Sequence, residues 1–124
     1  MSKNSLGFSV RNRIHSFRYA FKGVAIMFYE EPNFRIHIIA ASVTVAFGII
    51  FNISAIEWIM ISVVIGLVLV SEIFNAAVER IADFVSPEHN MIVGITKDLC
   101  SAMVLVAAIV SVVTGLIIFI PKIF

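Results

Sequence analysis

The chain has 124 residues, enough for one domain, and 60% of them are hydrophobic while 14% are charged. Soluble domains average about 45–50% apolar and about 25% charged residues, so the composition excludes an ordinary soluble protein. A formal net charge of +1 also excludes a nucleic-acid-binding protein of the usual basic kind. The sequence therefore predicts a single-domain integral membrane protein.

The first predicted element, over residues 8–30, is an amphipathic helix. Its apolar side chains recur every three or four positions, as expected for one helix face: Val10, Ile14, Phe17, Phe21, Val24 and Phe28. The basic side chains on its other faces are Arg11, Arg13, Arg18 and Lys22. Such a helix can lie in the headgroup region of a membrane. Packing against the protein's own bundle is the alternative, and one face could do both.

The first predicted membrane span covers residues 34–52. Glu30-Glu31-Pro32 ends the amphipathic helix, because proline lacks a backbone N–H and disfavours the α conformation of the residue before it. The apolar part of the span, from Ile36 to Phe51, contains one ionisable residue, His37. We interpret His37 as an interfacial or packed histidine rather than a ligand.

The second predicted span, 56–83, follows a tight connection at 52–57. Ser54 is the predicted N-cap of this helix, and Trp58 is placed where an interfacial aromatic residue belongs.

A polar face develops at the far end of the second span. It consists of residues at spacings of three, four and four, namely Glu72, Asn75, Glu79 and Asp83. At about 100° per residue they fall within an arc of about 80° on the helix. A charged residue at membrane depth costs on the order of 2.5–3.5 kcal/mol, so this face is predicted to line a cavity, to pair or to bind a ligand.

The third predicted span, 99–120, carries no charged residue and is about 33 Å long as a helix, which suffices to cross the hydrocarbon. A loop at 86–90, which contains Pro87, and a short helix through Thr96, Lys97 and Asp98 precede it. Pro121 and Lys122 are predicted to end it. The fold class is thus all-α, with an amphipathic surface helix and three transmembrane helices.

Basic residues are concentrated before the first span, with Arg80 and Lys97 between the second and the third. The positive-inside rule therefore places the N-terminus and the 80–98 segment in the cytoplasm. The carboxylates of the polar face then lie near the cytoplasmic membrane boundary, together with Glu30 and Glu31.

Carboxylates and an amide in this position can bind Mg²⁺, which takes oxygen ligands and often uses only one or two protein carboxylates together with nucleotide phosphates. No Walker motif and no G-x-G-x-x-G loop is present, so a nucleotide would need another device. From the residues alone three interpretations stay open: catalysis, transport by a small oligomeric proton-coupled transporter, and structural polar contacts between helices.

Three short patterns stand in a specific order against the predicted spans. They are Glu31-x-x-Phe34, Glu72-x-x-Asn75-x-x-x-Glu79-x-x-x-Asp83, and Lys97-Asp98 followed by Ser101-Ala102-x-Val104-Leu105. In this combination the chain resembles, from about Phe17 to its C-terminus, the prokaryotic diacylglycerol kinase family, which includes the undecaprenol kinases.

The resemblance implies transfer of the γ-phosphoryl group of Mg-ATP to the hydroxyl of a membrane lipid. By position, Glu72 corresponds to the general base and Asn75 to an amide beside it, while Glu31 and Glu79 correspond to carboxylates that hold Mg²⁺. Asp83 corresponds to another active-site acid. The remaining positions expected to bind the nucleotide are Arg13, Tyr19, Glu88, His89, Asn90, Lys97 and Asp98. Many relatives carry histidine at the position of Asn90.

The resemblance also implies a homotrimer with shared active sites in the bacterial cytoplasmic membrane. A physical argument supports assembly, because three spans can hardly shield the polar face of the second span from lipid. The acceptor is expected to be undecaprenol or diacylglycerol. The phenylalanine-rich 17–28 segment, Asn33-Phe34 and the 117–122 end resemble the undecaprenol kinases somewhat more.

Overall fold

A computed structural model describes residues 9–88 and 90–124 of the chain. They form four helices, α1 (Val10–Glu30), α2 (Pro32–Ile50), α3 (Ala55–Val85) and α4 (Met91–Ile123), and the described residues contain no strand. By length and composition α2, α3 and α4 could each cross a membrane. The predicted all-α membrane fold class is confirmed. Phe8, the predicted start of the first helix, lies outside the described residues.

Local sequence signals set most helix boundaries. Ser9 caps α1 by accepting a hydrogen bond from the Asn12 amide at 3.3 Å. Glu31 is extended, and Pro32 occupies the first turn of α2, where its missing N–H costs nothing. Ser54 is the N-cap of α3, as predicted. It forms a capping box in which the Glu57 amide donates to Ser54 Oγ at 3.2 Å and the Ser54 amide donates to Glu57 Oε1 at 2.9 Å.

The polar segment before the third predicted span and the span itself form one continuous helix, α4. This helix also passes through Pro121 and ends at Ile123, so the structure differs from the prediction that Pro121 ends it. Pro121 lacks the N–H that would bond the Ile117 carbonyl, so it costs the helix one hydrogen bond, and only Lys122 and Ile123 follow it in α4.

Helices α3 and α4 run antiparallel, and their packing is the most extensive in the chain. At one end, called here the turn end, Ile53, Ile61 and Ile118 form a buried cluster, against which Trp58 and Phe119 pack. An ion pair closes this end of the bundle, with Lys122 Nζ 2.9 Å from Glu57 Oε2.

The opposite end, called here the polar end, contains the acidic residues 72–83 and the segment around Glu31. Met27, Phe34 and Ala76 form its buried cluster, which joins the last turn of α1 to α2 and α3. Of residues 10–30, Met27 is the only buried one, so α1 is packed into the bundle most closely near its C-terminus. The location of α1 on a membrane surface stays a prediction.

Gly48 allows the turn end to pack closely. A Cβ atom at this position would lie 2.6 Å from Trp58 Cη2 and 3.0 Å from Trp58 Cζ2, which is too close for ordinary contact. We therefore expect Gly48→Ala to destabilise the protein by about 1–3 kcal/mol through overpacking. Thermal unfolding of the detergent-solubilised protein measures this effect.

Gly66→Ala is the matched control, because a Cβ at Gly66 meets nothing within 4 Å. Alanine is the better helix former, so this variant should be neutral or stabilised by up to about 1 kcal/mol. An unchanged melting temperature for Gly48→Ala would show that the Trp58 ring moves aside without cost.

Candidate active site

Glu72 lies on the face of α3 that packs inside the bundle. It shares this face with Val68 and Ala76, four residues before and after it, and both of these are buried. Glu72 itself is 4% exposed, and it is the only charged residue among the described ones that is buried. The packing of α3 therefore carries a carboxylate into the interior at the polar end.

His37 of α2 faces this carboxylate. Its Nε2 lies 3.2 Å from Glu72 Oε1, and its side chain is 24% exposed. His37 follows the buried Phe34 by three residues, so both residues lie on the face of α2 that turns toward α3. Our interpretation from the sequence missed this contact. The available signal was a single ionisable residue inside an apolar span, since such residues usually pair.

Asn75 and Glu79 form a second polar pair one turn further along α3. Asn75 Nδ2 donates to Glu79 Oε1 at 3.4 Å. Asn75 Oδ1 is buried, and the described residues supply no hydrogen-bond partner for it. The amide thus contacts Glu79 rather than Glu72, and it leaves an oxygen in need of a donor or a cation.

Arg80 connects α3 to the segment between α1 and α2. Its Nη1 donates to Glu31 Oε1 at 3.1 Å and to the Ala76 carbonyl at 3.1 Å, and its Nη2 lies 3.8 Å from Glu30 Oε1. From the sequence, Arg80 was assigned a role in membrane orientation only. No local sequence pattern could have predicted this pairing, because Arg80 and Glu31 are 49 residues apart in sequence.

Asp83 and Lys97 join α3 to α4, with Lys97 Nζ 2.5 Å from Asp83 Oδ1. Lys97 precedes the uncharged 99–120 stretch of α4. The hydrogen bond to Asp83 raises the pKa of the Lys97 ammonium above its ordinary value, and the negative charges of Asp83 and Glu79 add to this. Lys97 is therefore a persistent cation beside the last two carboxylates of α3.

The loop between α3 and α4 borders a small cleft. The cleft has a volume of about 140 Å³, and its lining includes Asp83, Glu88, Asn90 and Lys97. Asn90 is also the N-cap of α4, since its Oδ1 accepts from the amides of Ile92 at 2.9 Å and Val93 at 3.4 Å. A capping function explains why asparagine suits this position. His89, predicted to bind the nucleotide, lies outside the described residues.

Comparison with known proteins places this sequence in a family. The family model for prokaryotic diacylglycerol kinase matches residues 18–119. The chain is 34% identical to the undecaprenol kinase of Bacillus subtilis over 107 residues, which cover 86% of this chain and 87% of the relative. It is 32% identical to the diacylglycerol kinase of Escherichia coli over 114 residues, which cover 92% of each chain.

The chain belongs to the prokaryotic diacylglycerol kinase family. The prediction that it is an enzyme, a lipid kinase, is thereby confirmed. Its three long apolar helices, in a bacterial family, make it a bacterial membrane protein. The transporter interpretation gains no support from these relatives.

In this kinase the predicted residues of α1 lie apart from the polar end. Tyr19 is 71% exposed, and Arg13 is exposed as well. At 1.5 Å per residue, Tyr19 is about 12 Å and Arg13 about 21 Å along α1 from Met27, where α1 contacts the other helices. Asp98 is exposed on α4. The nucleotide contacts of these three residues stay predictions.

The polar end of this kinase contains side-chain oxygens of the kind that bind a magnesium ion. The donors are carboxylate oxygens of Glu31 and Glu79 and the unpartnered Asn75 Oδ1, and Mg²⁺ prefers oxygen ligands. Within the described residues, no three His, Cys, Asp or Glu side chains form a metal-binding cluster. A site completed by nucleotide phosphates needs only one or two protein carboxylates, so the donor set fits magnesium held together with ATP.

Proposed function

We propose that this kinase transfers the γ-phosphoryl group of Mg-ATP to the hydroxyl of a membrane lipid, with Glu72 as the general base. The buried Glu72 carboxylate carries this proposal. It lies at the end of the bundle where carboxylates, an amide and a lysine from α3, α4 and the α1–α2 junction gather. A general base must lie within reach of the proton that it takes up, and a carboxylate held on a packed helix face beside these polar groups is placed for this role.

The proposed reaction is a single displacement. The oxygen of the lipid hydroxyl attacks the γ-phosphorus, and its proton passes to the Glu72 carboxylate. The bond between the γ-phosphorus and the β,γ-bridging oxygen breaks, and ADP leaves with that oxygen. Glu72 then releases the proton to water. The products are the lipid phosphate and ADP.

Glu31, Glu79 and the Asn75 amide oxygen are the proposed magnesium-holding groups. Bound magnesium would neutralise the charge of the phosphates during transfer. Lys97 is proposed to contact phosphate oxygens from α4 through its ammonium group. Asp83 holds the Lys97 ammonium in place through their ion pair. Arg80 holds Glu31 in the free enzyme, so the Glu31 carboxylate would exchange one cationic partner for another.

Undecaprenol is the acceptor that we favour over diacylglycerol. Both lipids present one hydroxyl at headgroup level, so the carboxylate site does not discriminate between them. The support comes from the likeness of Asn33-Phe34 and the 117–122 end to undecaprenol kinases, and from the Bacillus subtilis relative of that name.

A homotrimer in the cytoplasmic membrane, with the polar end on the cytoplasmic side, completes the proposal. In a single chain, only about 11% of the most apolar 18-residue stretch of α2 is buried, and the same share holds for α4. Neighbouring subunits could therefore cover part of these helices and shield the face of α3 that bears Asn75 and Glu79.

Transfer of labelled phosphate from γ-labelled Mg-ATP tests the function. The purified protein is assayed in mixed micelles that contain either undecaprenol or a diacylglycerol. We expect labelling of both lipids to depend on Mg²⁺ and kcat/KM to be higher for undecaprenol. Faster labelling of diacylglycerol would reverse the choice of acceptor. Labelling of neither lipid by folded protein would contradict the proposed function.

A further inference from the structure

The proposed reaction does not use the contact between His37 and Glu72. It joins α2 to α3 inside the bundle, with Nε2 of the imidazole 3.2 Å from Oε1 of the carboxylate. Among the described residues, His37 is the only basic side chain within 4.0 Å of Glu72. The base therefore has a single charged or chargeable partner in this part of the chain.

A buried glutamate needs such a partner for two reasons. An ionised carboxylate without a hydrogen-bond donor is costly in an apolar environment. A glutamate side chain also has several rotatable bonds, so its oxygens sample many positions unless a donor fixes them. General base catalysis requires one of these oxygens within hydrogen-bond distance of the proton that it takes.

The backbone under His37 is well anchored. Phe34, three residues earlier on the same helix face, is 2% exposed and packs against Met27 and Ala76. Its ring also meets Phe28 edge to face, with the centroids 5.5 Å apart. Since Ala76 lies one turn beyond Glu72 on α3, this cluster fixes α2 against α3 directly beside the pair. An imidazole on such a support can orient the carboxylate with little loss of entropy.

We propose that His37 is the positioning residue of the general base. Its imidazole, with Nε2 3.2 Å from Glu72 Oε1, holds the carboxylate in the side-chain conformation in which the other oxygen receives the proton of the acceptor hydroxyl. His37 acts through Glu72 and does not itself take the proton. This inference rests on the proposed function, since it assigns a partner to the proposed base.

Substitution of His37 can either remove or keep a polar N–H group at this position. His37→Leu removes the N–H while retaining similar volume, and His37→Gln places an amide N–H at a comparable reach. In the mixed-micelle assay we expect His37→Leu to lower kcat about 10–100-fold, the range found for groups that orient a metal ligand. The KM for ATP should change by less than about twofold, because His37 is not proposed to touch the nucleotide. His37→Gln should recover kcat to within a few-fold of the wild type.

Ser42→Ala is the matched control on the same helix. Its hydroxyl is exposed and donates only to the Ile38 carbonyl of its own helix, at 2.8 Å, so kcat should not change. If His37→Leu keeps wild-type kcat, the positioning function is wrong. If His37→Gln is as slow as His37→Leu while both melt like the wild type, the imidazole acts as an acid or base, which also contradicts the proposal.

Melting temperatures separate failure of this inference from failure of the proposed function. The single variants His37→Leu and Glu72→Gln and their double variant are compared by thermal unfolding. A contact between the two side chains predicts that the two shifts do not add, whatever reaction the protein performs. Additive shifts would overturn the inference. Coupled shifts in a protein that labels no lipid would contradict only the proposed reaction.

Discussion

Replacement of Glu72 by glutamine is expected to lower kcat by about 10²–10⁴-fold, the usual contribution of a general base. Glutamine has the size of glutamate, and its amide can keep a polar contact with His37, so the bundle should remain folded. The loss should appear in kcat, because Glu72 is proposed to accept the proton of the lipid hydroxyl during transfer rather than to hold the nucleotide. Labelled-phosphate transfer in mixed micelles measures the change.

Ser71→Ala is the matched control for this variant. Ser71 is as buried as Glu72 and precedes it directly, but its hydroxyl donates to the Val68 carbonyl of its own helix at 2.8 Å. Its removal should leave kcat within a few-fold of the wild type. Turnover of Glu72→Gln within about threefold of the wild type would exclude Glu72 as the base.

Replacement of Glu31 by glutamine is expected to raise the Mg²⁺ concentration needed for half-maximal activity by at least about tenfold. The reason is that Mg²⁺ binds carboxylates far better than neutral amides, and the site is proposed to use only two protein carboxylates. Titration of activity with Mg²⁺ at fixed ATP measures the shift.

Glu30 provides a neighbouring control of the same charge. Its side chain is 60% exposed and 3.8 Å from Arg80, whereas that of Glu31 is 24% exposed and accepts a hydrogen bond from Arg80 at 3.1 Å. Glu30→Gln should shift the Mg²⁺ dependence by less than about twofold. A larger shift for Glu30→Gln than for Glu31→Gln would assign the metal to Glu30 instead.

The two variants also report on Arg80. In the described structure Arg80 neutralises Glu31, so magnesium must displace or share this cation. Loss of Glu31 would leave Arg80 with Glu30 and the Ala76 carbonyl as its remaining described partners. A lower melting temperature for Glu31→Gln than for Glu30→Gln in the absence of Mg²⁺ is therefore expected.

The sequence by itself determined the helices of this kinase and the polar face of α3. Apolar length fixed which segments could span a membrane, and Pro32, Ser54 and the loop at Pro87 marked helix boundaries, because these signals act over a few residues. The spacing of Glu72, Asn75, Glu79 and Asp83 placed them on one face by helix geometry alone. At Pro121 the local signal was overridden, since the helix continues to Ile123 although the proline supplies no N–H to the carbonyl four residues earlier.

Tertiary structure alone decided which charges meet. The pairs His37–Glu72 and Lys97–Asp83 connect different helices, and Arg80–Glu31 connects α3 to the α1–α2 junction. His37 and Glu72 are 35 residues apart in sequence, and Glu31 and Arg80 are 49 apart. The packing of Phe34 against Ala76 turns His37 toward Glu72, and the antiparallel docking of α4 on α3 brings Lys97 to Asp83. Such pairings depend on how whole helices dock, and no local pattern of residues encodes docking. For this reason the sequence located the carboxylates, while only the fold assigned their partners.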